Sequence, residues 1–153
     1  MAIFKNSTMK EFAGKVKILI LFGFSLEPMI GASQVRVYNQ IKYLSHHNVV
    51  DFASINKSLA SIEDTNRRIL PYVNEYYPIK GSYLGKNKIE RFILKSLKFI
   101  KYYLSYRPME DIVISTGHIK KCVMEIISKG DYDVIILHYW YWGYLLKNLP
   151  DNI

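Results

Sequence analysis

The chain has 153 residues, of which half are apolar, and it carries a formal net charge of +8. This length and composition suffice for one folded domain with a hydrophobic core, and they exclude a disordered chain. No apolar run reaches the roughly 18 to 20 residues that span a bilayer, and residues 1–14 lack the apolar segment of a secretory signal. The single cysteine, Cys122, excludes an intramolecular disulfide. We expect a cytoplasmic protein whose positive charge selects an anionic partner.

Residues 1–14 are polar and mixed, so we treat them as a poorly ordered leader to a domain that spans residues 15–153. The domain opens with residues 16–22, whose almost unbroken apolar run predicts a strand covered on both faces. A loop with Gly31 follows, and Ser33 is placed to accept a hydrogen bond from an amide of the next helix. That helix has an apolar face formed by Val37, Tyr38, Ile41 and Leu44. Such a unit aims helix N-terminal amides at the space above the strand, where they favour an anion.

Three later segments also have strand patterns. Residues 49–55 and 131–138 are rich in apolar side chains, and residues 72–79 alternate, with Pro78 indicating an edge position. Strands separated by helices predict an α/β fold, a Rossmann-like doubly wound parallel sheet with helices on both faces. The simplest spatial order of the four strands is third, second, first, fourth.

Helical periodicity fills the segments between the strands. Residues 57–70 have a weak helical period. Residues 111–129 also have a helical pattern, although Gly117 can interrupt it and residues 111–115 can instead form a short strand, and Gly130 is placed to cap this second helix. Residues 87–104 form the clearest helix, because nine residues share one face at about 100° per residue. These are Ile89, Phe92, Ile93, Ser96, Leu97, Phe99, Ile100, Tyr103 and Leu104.

The opposite face of that helix is basic. It carries Arg91, Lys95, Lys98 and Lys101. Three interpretations stay open: an ordinary surface helix with a solvated lysine face, contact with anionic lipid or a phosphorylated acceptor, and nucleic acid. We disfavour a nucleic-acid partner, because no nucleic-acid-binding motif occurs and aromatic residues do not interleave with the basic ones on the exposed face.

Ligands of open parallel sheets bind outside the carboxyl ends of the strands, where the strand order reverses. The reversal here falls between the first and fourth predicted strands, so the loop of Gly31 and the strand end at His138 should meet. Gly31 lets backbone amides approach an anion closely, and His138 can hydrogen-bond a hydroxyl. Trp140, Trp142 and their tyrosine neighbours, Tyr139 among them, offer flat apolar faces of the kind that pack on a sugar ring. The structural alternatives are a plain loop glycine, a histidine bonded to backbone, and aromatic packing in the core.

Several catalytic signatures are missing from the sequence. It contains no Ser/His/Asp set, paired carboxylates or metal-ligand cluster, and the glycine patterns of α/β-hydrolases and dinucleotide-binding domains do not occur. An ordinary hydrolase or dinucleotide enzyme is therefore disfavoured. We expect neither a metal nor a cofactor in this domain.

Four segments together resemble the N-terminal half of a GT-B glycosyltransferase of family 4, a group of retaining enzymes that use nucleotide-sugar donors. They are KVKILILF, MIGASQVRVYNQIKYLS, VVDFASI and DYDVIILH. The resemblance implies that Gly31 and Ala32 lie beside the donor diphosphate and that His138 is a catalytic residue beside the transferred sugar. It also places Arg36, with Tyr139 and Trp140, at the sugar or the acceptor. The acceptor would be a glycan or a lipid-linked sugar.

The chain departs from this family at two points. Ile30 replaces the first glycine of the family's paired-glycine loop, and the sequence ends at Ile153 without a nucleotide-sugar-binding domain. We therefore expect one half of a two-domain GT-B fold, inactive alone, that pairs with its own C-terminal domain. The isolated piece would expose its cleft face and self-associate. The alternative is a non-catalytic, flavodoxin-like module for binding or membrane docking.

Overall fold

The computed structural model of the chain describes residues 2–4, 14–56, 58–81, 87–105, 117–139 and 142. The strands are β1 (Ala2–Phe4), β2 (Lys17–Phe22), β3 (Val49–Asn56), β4 (Glu75–Lys80) and β5 (Val134–His138). The helices are α1 (Ala32–Leu44), α2 (Leu59–Ile69), α3 (Lys88–Ser105) and α4 (Gly117–Gly130).

The strands form one sheet in the order β1-β5-β2-β3-β4. β2 pairs in parallel with both β3 and β5, and β3 pairs in parallel with β4. This arrangement confirms the predicted parallel α/β sheet and the predicted order of its four strands. Residues 2–4, for which the sequence predicts no element, add β1 as an antiparallel strand beside β5. β4 is the other edge strand, as Pro78 predicts, because a proline cannot donate to a further strand.

The central strand β2 shows how the two layers of the core arise. Ile18, Ile20 and Phe22 belong to a cluster with residues of α1 and α2, whereas Leu19 and Leu21 belong to a cluster with residues of α4. Successive side chains of a strand point to opposite faces, so a strand covered on both faces must be apolar throughout. The helices therefore cover both faces of the sheet, which is the predicted doubly wound arrangement.

The amphipathic faces of α1 and α4 account for this packing. In α1, Val37 and Ile41 are buried, and Tyr38 and Leu44 pack at the margin of the same cluster, as predicted. In α4 the buried positions are Ile119, Val123, Ile127 and Gly130. Residues 111–116, which the sequence places in the same helix, lie outside the described residues.

The end of α4 differs from the prediction in its detail. The left-handed backbone that usually follows a helix is adopted by Asp131, with φ of 41°, rather than by Gly130. Gly130 is needed for another reason: a Cβ atom at this position would lie 1.8 Å from Cε2 of the buried Tyr132 ring. The glycine thus makes room for an aromatic side chain of the core.

Helix α3 is confirmed by the structure, but its apolar face is exposed. Ile89, Phe92, Ile93, Leu97, Ile100 and Leu104 are each between 51% and 77% exposed. An ordinary surface helix packs this face against the core. Within the part of the chain that the structure describes, these six side chains remain at the surface.

Candidate functional site

The loop between β2 and α1 is organised by a glutamine. Gly31 is the N-cap of α1, with φ of −120° and ψ of 149°, and its amide donates to Gln34 Oε1 over 2.8 Å. The sequence predicts Ser33 as the capping residue, and this prediction is wrong because the Gln34 side chain turns back and takes that role. A Cβ atom on Gly31 would stand 3.0 Å from Gln34 Oε1. The missing side chain of Gly31 therefore leaves room for Gln34 Oε1 to accept this hydrogen bond.

The same glutamine ties the rest of the loop to the helix. Its Nε2 donates to the carbonyl oxygens of Ser25, at 3.1 Å, and Pro28, at 2.9 Å. Three hydrogen bonds from one side chain hold the loop in place above the carboxyl end of β2. Ala32, the first residue of α1, is exposed. By helix geometry, the amides of Ala32 and Ser33 have no acceptor within the helix, so they suit an anion at this place.

A cleft of about 350 Å³ opens between this loop and the N-terminal turns of α1 and α2. Its polar lining consists of Ser25, Glu27, Ser33, Gln34, Ser58 and Ser61. Ser58 caps α2 by accepting a hydrogen bond from the Ser61 amide over 3.1 Å. Ser58 and Ser61 are not among the predicted site residues, although Ser58 comes at the start of a helical segment, where an N-cap serine is typical. Hydroxyl groups at two helix N-termini suit a hydroxylated or anionic ligand.

A buried polar network supports the wall of this cleft. The side-chain nitrogen Nδ2 of Asn56 donates to the carbonyl oxygen of Ser54 at 2.9 Å and to the Tyr76 hydroxyl at 3.0 Å. The side-chain oxygen Oδ1 of Asn56 accepts a hydrogen bond from Ser25 Oγ at 3.2 Å. Burial raises the pKa of Tyr76, so its hydroxyl stays protonated. Asn56 thus links the end of β3, strand β4 and the loop after β2. A satisfied buried network of this kind fixes its members in one geometry.

Glu27 anchors the other end of the loop. Its carboxylate pairs with Arg68 of α2 and accepts a hydrogen bond from the Met29 amide at 3.1 Å. Its own amide donates to Thr65 Oγ1 at 3.3 Å. The negative charge in the cleft wall is therefore compensated by a cation, which leaves the cleft open to an anionic ligand.

His138 ends β5 with its ring beneath α1. It is 8% exposed, and its Nε2 lies 2.7 Å from Gln40 Oε1, so Nε2 donates and the other ring nitrogen is left as an acceptor. Phe22 meets the ring edge-on, with centroids 6.1 Å apart. Burial and then the positive charge of Arg36 lower the pKa of His138 to about 4. The imidazole is therefore neutral at pH 7 and acts as a hydrogen-bonding group rather than as an acid.

Arg36 and Tyr139 lie close to this histidine. Arg36 is exposed on α1, and its charge acts on His138. Tyr139 is half-buried with φ of 80°; its ring stacks on Phe22 and meets Phe24 edge-on, at centroid distances of 6.1 and 5.8 Å. These contacts match the core-packing alternative for Tyr139. Trp140 lies outside the described residues.

The strands that lead to Gly31 and to His138 are neighbours, but the meeting of these two residues stays a prediction. His138 pairs with Phe22 in the register of β5 and β2, and the chain leaves Phe22 towards Gly31. The 350 Å³ cleft, however, lies on the β3 side of β2, and no residue of β5 lines it. His138 and Ile136 are two residues apart in β5, so their side chains point to the same face of the sheet. Ile136 packs against the cluster that contains residues of α1, so the ring of His138 lies under α1.

The chain matches no protein-family model, no curated protein and no solved structure. Its function is therefore inferred from the geometry of the site. Among the described residues, no group of three or more His, Cys, Asp or Glu side chains is arranged to hold a metal ion. What the site offers is a set of amides, hydroxyls and a neutral imidazole, which can bind and orient a polar ligand.

A second and larger cavity, of about 650 Å³, runs between β4 and α4. Tyr77, Ile79, His118, Cys122 and Ile126 are among its lining residues, and it shares none with the smaller cleft. It does not lie at the carboxyl ends of β2 and β5, between which the strand order reverses. We therefore place the candidate site at the carboxyl ends of β2 and β5 and the adjoining cleft.

Proposed function

We propose that this chain is the acceptor-side domain of a retaining glycosyltransferase that uses a nucleotide-sugar donor. The observation that carries the proposal is the register of β2 and β5, which brings His138 beside Phe22 at the strand end that leads to Gly31. Parallel sheets bind nucleotide-containing ligands at such adjoining carboxyl ends. The resemblance of the four sequence segments to family 4 enzymes supports the same function.

In this proposal the two strand ends have different roles. The N-terminal amides of α1, at Gly31 and Ala32, bind the donor diphosphate, with Arg36 adding positive charge one helical turn further on. Because Gln34 caps Gly31, its side chain gives up that amide when the diphosphate binds. The acceptor nitrogen of His138 takes a hydrogen bond from a hydroxyl of the transferred sugar. The resemblance adds Tyr139 and Trp140 as contacts of the sugar or the acceptor.

The chemical contribution of this domain is positioning. In a retaining transfer, the bond from the sugar to the diphosphate breaks while the acceptor hydroxyl attacks from the same face. Amides aimed at the departing diphosphate stabilise its developing charge, and a histidine held by Gln40 fixes the sugar. The nucleotide itself and the second half of the cleft belong to a partner domain of the same enzyme.

Sugar transfer by the full-length protein that contains this chain tests the proposal. A panel of radiolabelled nucleotide sugars would be offered with glycan and lipid-linked acceptors, and transfer would be compared between the wild type and His138→Ala. We expect turnover to fall by about a hundredfold or more. His46→Ala, which changes an exposed turn histidine, is the matched control and should retain activity. Near-normal transfer by His138→Ala would refute the role of His138, and no transfer from any donor would refute the proposed function.

A further inference from the structure

Helix α3 combines two features that a core helix does not show together. Six large apolar side chains on one face, defined above from Ile89 to Leu104, are more than half exposed. At about 100° per residue they lie within one half of the helical wheel. The other half carries Lys88, Arg91, Lys95, Lys98 and Lys101, with Glu90 as its one acidic residue. Apart from Leu94 and Tyr102, whose positions fall among the basic ones, apolar and basic residues are therefore segregated on this helix.

Most of the chain's excess positive charge lies in and beside this helix. Residues 86–101 contain six basic residues and one acidic residue, so they contribute +5 of the chain's net charge of +8. Lys88 stands at one border between the polar and apolar halves of the wheel, and Lys101 follows Glu90 at the other. Long lysine stems at such borders can lie along an apolar surface while the ammonium group reaches an anionic layer.

We propose that α3 docks the protein onto an anionic lipid bilayer, lying in the interface with its apolar half towards the acyl chains. Charge complementarity selects this occupant. A second copy of the chain would bring another segment of charge +5 against the first, whereas anionic head groups neutralise it. No helix within the described residues is long and apolar enough to cross a bilayer. With 18 residues, α3 covers about 27 Å of membrane surface. This inference does not rest on the proposed sugar transfer.

Binding of the whole chain to vesicles tests the docking. Sedimentation would compare phosphatidylcholine vesicles with vesicles that contain equal parts of phosphatidylcholine and phosphatidylglycerol. We expect strong binding to the second kind, and a loss of at least about tenfold for the triple variant Lys95→Glu, Lys98→Glu, Lys101→Glu. The control variant, Lys42→Glu, Arg67→Glu, Lys80→Glu, makes the same change in net charge at exposed positions outside α3. Equal loss in both variants, or equal binding to both kinds of vesicle, would overturn the proposal.

A second measurement separates insertion of the apolar half from attraction of charges alone. In a Cys122→Ser background, a polarity-sensitive dye would be attached to Leu97→Cys or to Lys98→Cys. We expect anionic vesicles to shift the emission of the dye at position 97 to the blue and to change that at position 98 much less. A blue-shifted emission at position 97 without lipid, together with a dimer in sedimentation velocity, would show that a second copy covers this face. The same shift in a monomer would show that the chain covers the face itself. Either result would overturn the membrane assignment.

Discussion

The side chains of His138 and Gln40 join the end of β5 to α1 through a hydrogen bond of 2.7 Å. In the tautomer that this contact requires, the imidazole donates from Nε2 to the glutamine oxygen. The bond holds a neutral histidine at the carboxyl edge of the sheet, where burial and Arg36 both disfavour its protonated form. The contact with Gln40 thus fixes the orientation and the tautomer of the proposed catalytic group, whereas burial and Arg36 keep it uncharged.

This environment predicts a pH-dependent stability. The pKa of His138 is lowered from 6.5 to about 4, so between these values the unfolded chain binds a proton that the folded chain does not. The stabilisation is therefore complete above pH 6.5 and is lost as pH falls towards 4. We expect the free energy of unfolding to decrease by up to about 3 kcal/mol over this range. Denaturant unfolding at a series of pH values measures it.

His138→Gln isolates the histidine from the carboxylates, which also titrate in acid. The difference in unfolding free energy between the wild type and this variant should shrink as pH falls from 6.5 to 4. A constant difference across this range would show that His138 titrates in the folded protein as it does in the unfolded chain.

Gln34 is predicted to stabilise the cleft loop more than Ser33 does. Gln34→Leu removes the cap on the Gly31 amide and two hydrogen bonds to loop carbonyls, so we expect unfolding to become easier by about 1 to 2 kcal/mol. Ser33→Ala is the matched control, and its effect should stay within about 0.5 kcal/mol. Chemical denaturation of both variants decides the matter. A larger loss at Ser33 would restore it as the capping residue.

The two glycines of α4 should respond differently to the same substitution. Gly130→Ala forces a Cβ atom into the buried Tyr132 ring, and we expect a loss of about 3 kcal/mol in unfolding free energy. Gly117→Ala meets no atom within 4 Å and should change stability by less than about 1 kcal/mol. The loss at Gly130 should be smaller in a Tyr132→Leu background. Equal effects at the two glycines would contradict the packing at the end of α4.

The strand order was predictable because it depends on few physical signals. Apolar runs mark the strands, helical periods separate them, and the rules for parallel connections leave few orders open. Pro78 marked the edge for a similar reason, since its missing amide is read directly from the sequence. Residues 2–4 gave no such signal, because a short antiparallel strand needs only a neighbouring edge, which here is β5.

The details of the site depended on side-chain directions that sequence patterns do not contain. Ser33 has a typical capping side chain, but Gln34 is longer and reaches the Gly31 amide from within the helix. His138 ends its strand as predicted, whereas its partner Gln40 lies 98 residues away and has no recognisable spacing. The amphipathic pattern of α3 likewise predicted a helix and its apolar face, but not that this face would be exposed.

Ligand-induced amide shifts in the isotope-labelled chain test whether a nucleotide sugar binds at the ends of β2 and β5. Nucleotide sugars would be titrated to millimolar concentration, because one wall of a cleft binds weakly by itself. We predict saturable shifts at Gly31, Ala32 and His138, and no shifts at Cys122 and Ile126 in the larger cavity. Shifts confined to that cavity, or none at the ends of β2 and β5 with any donor, would refute binding at this site.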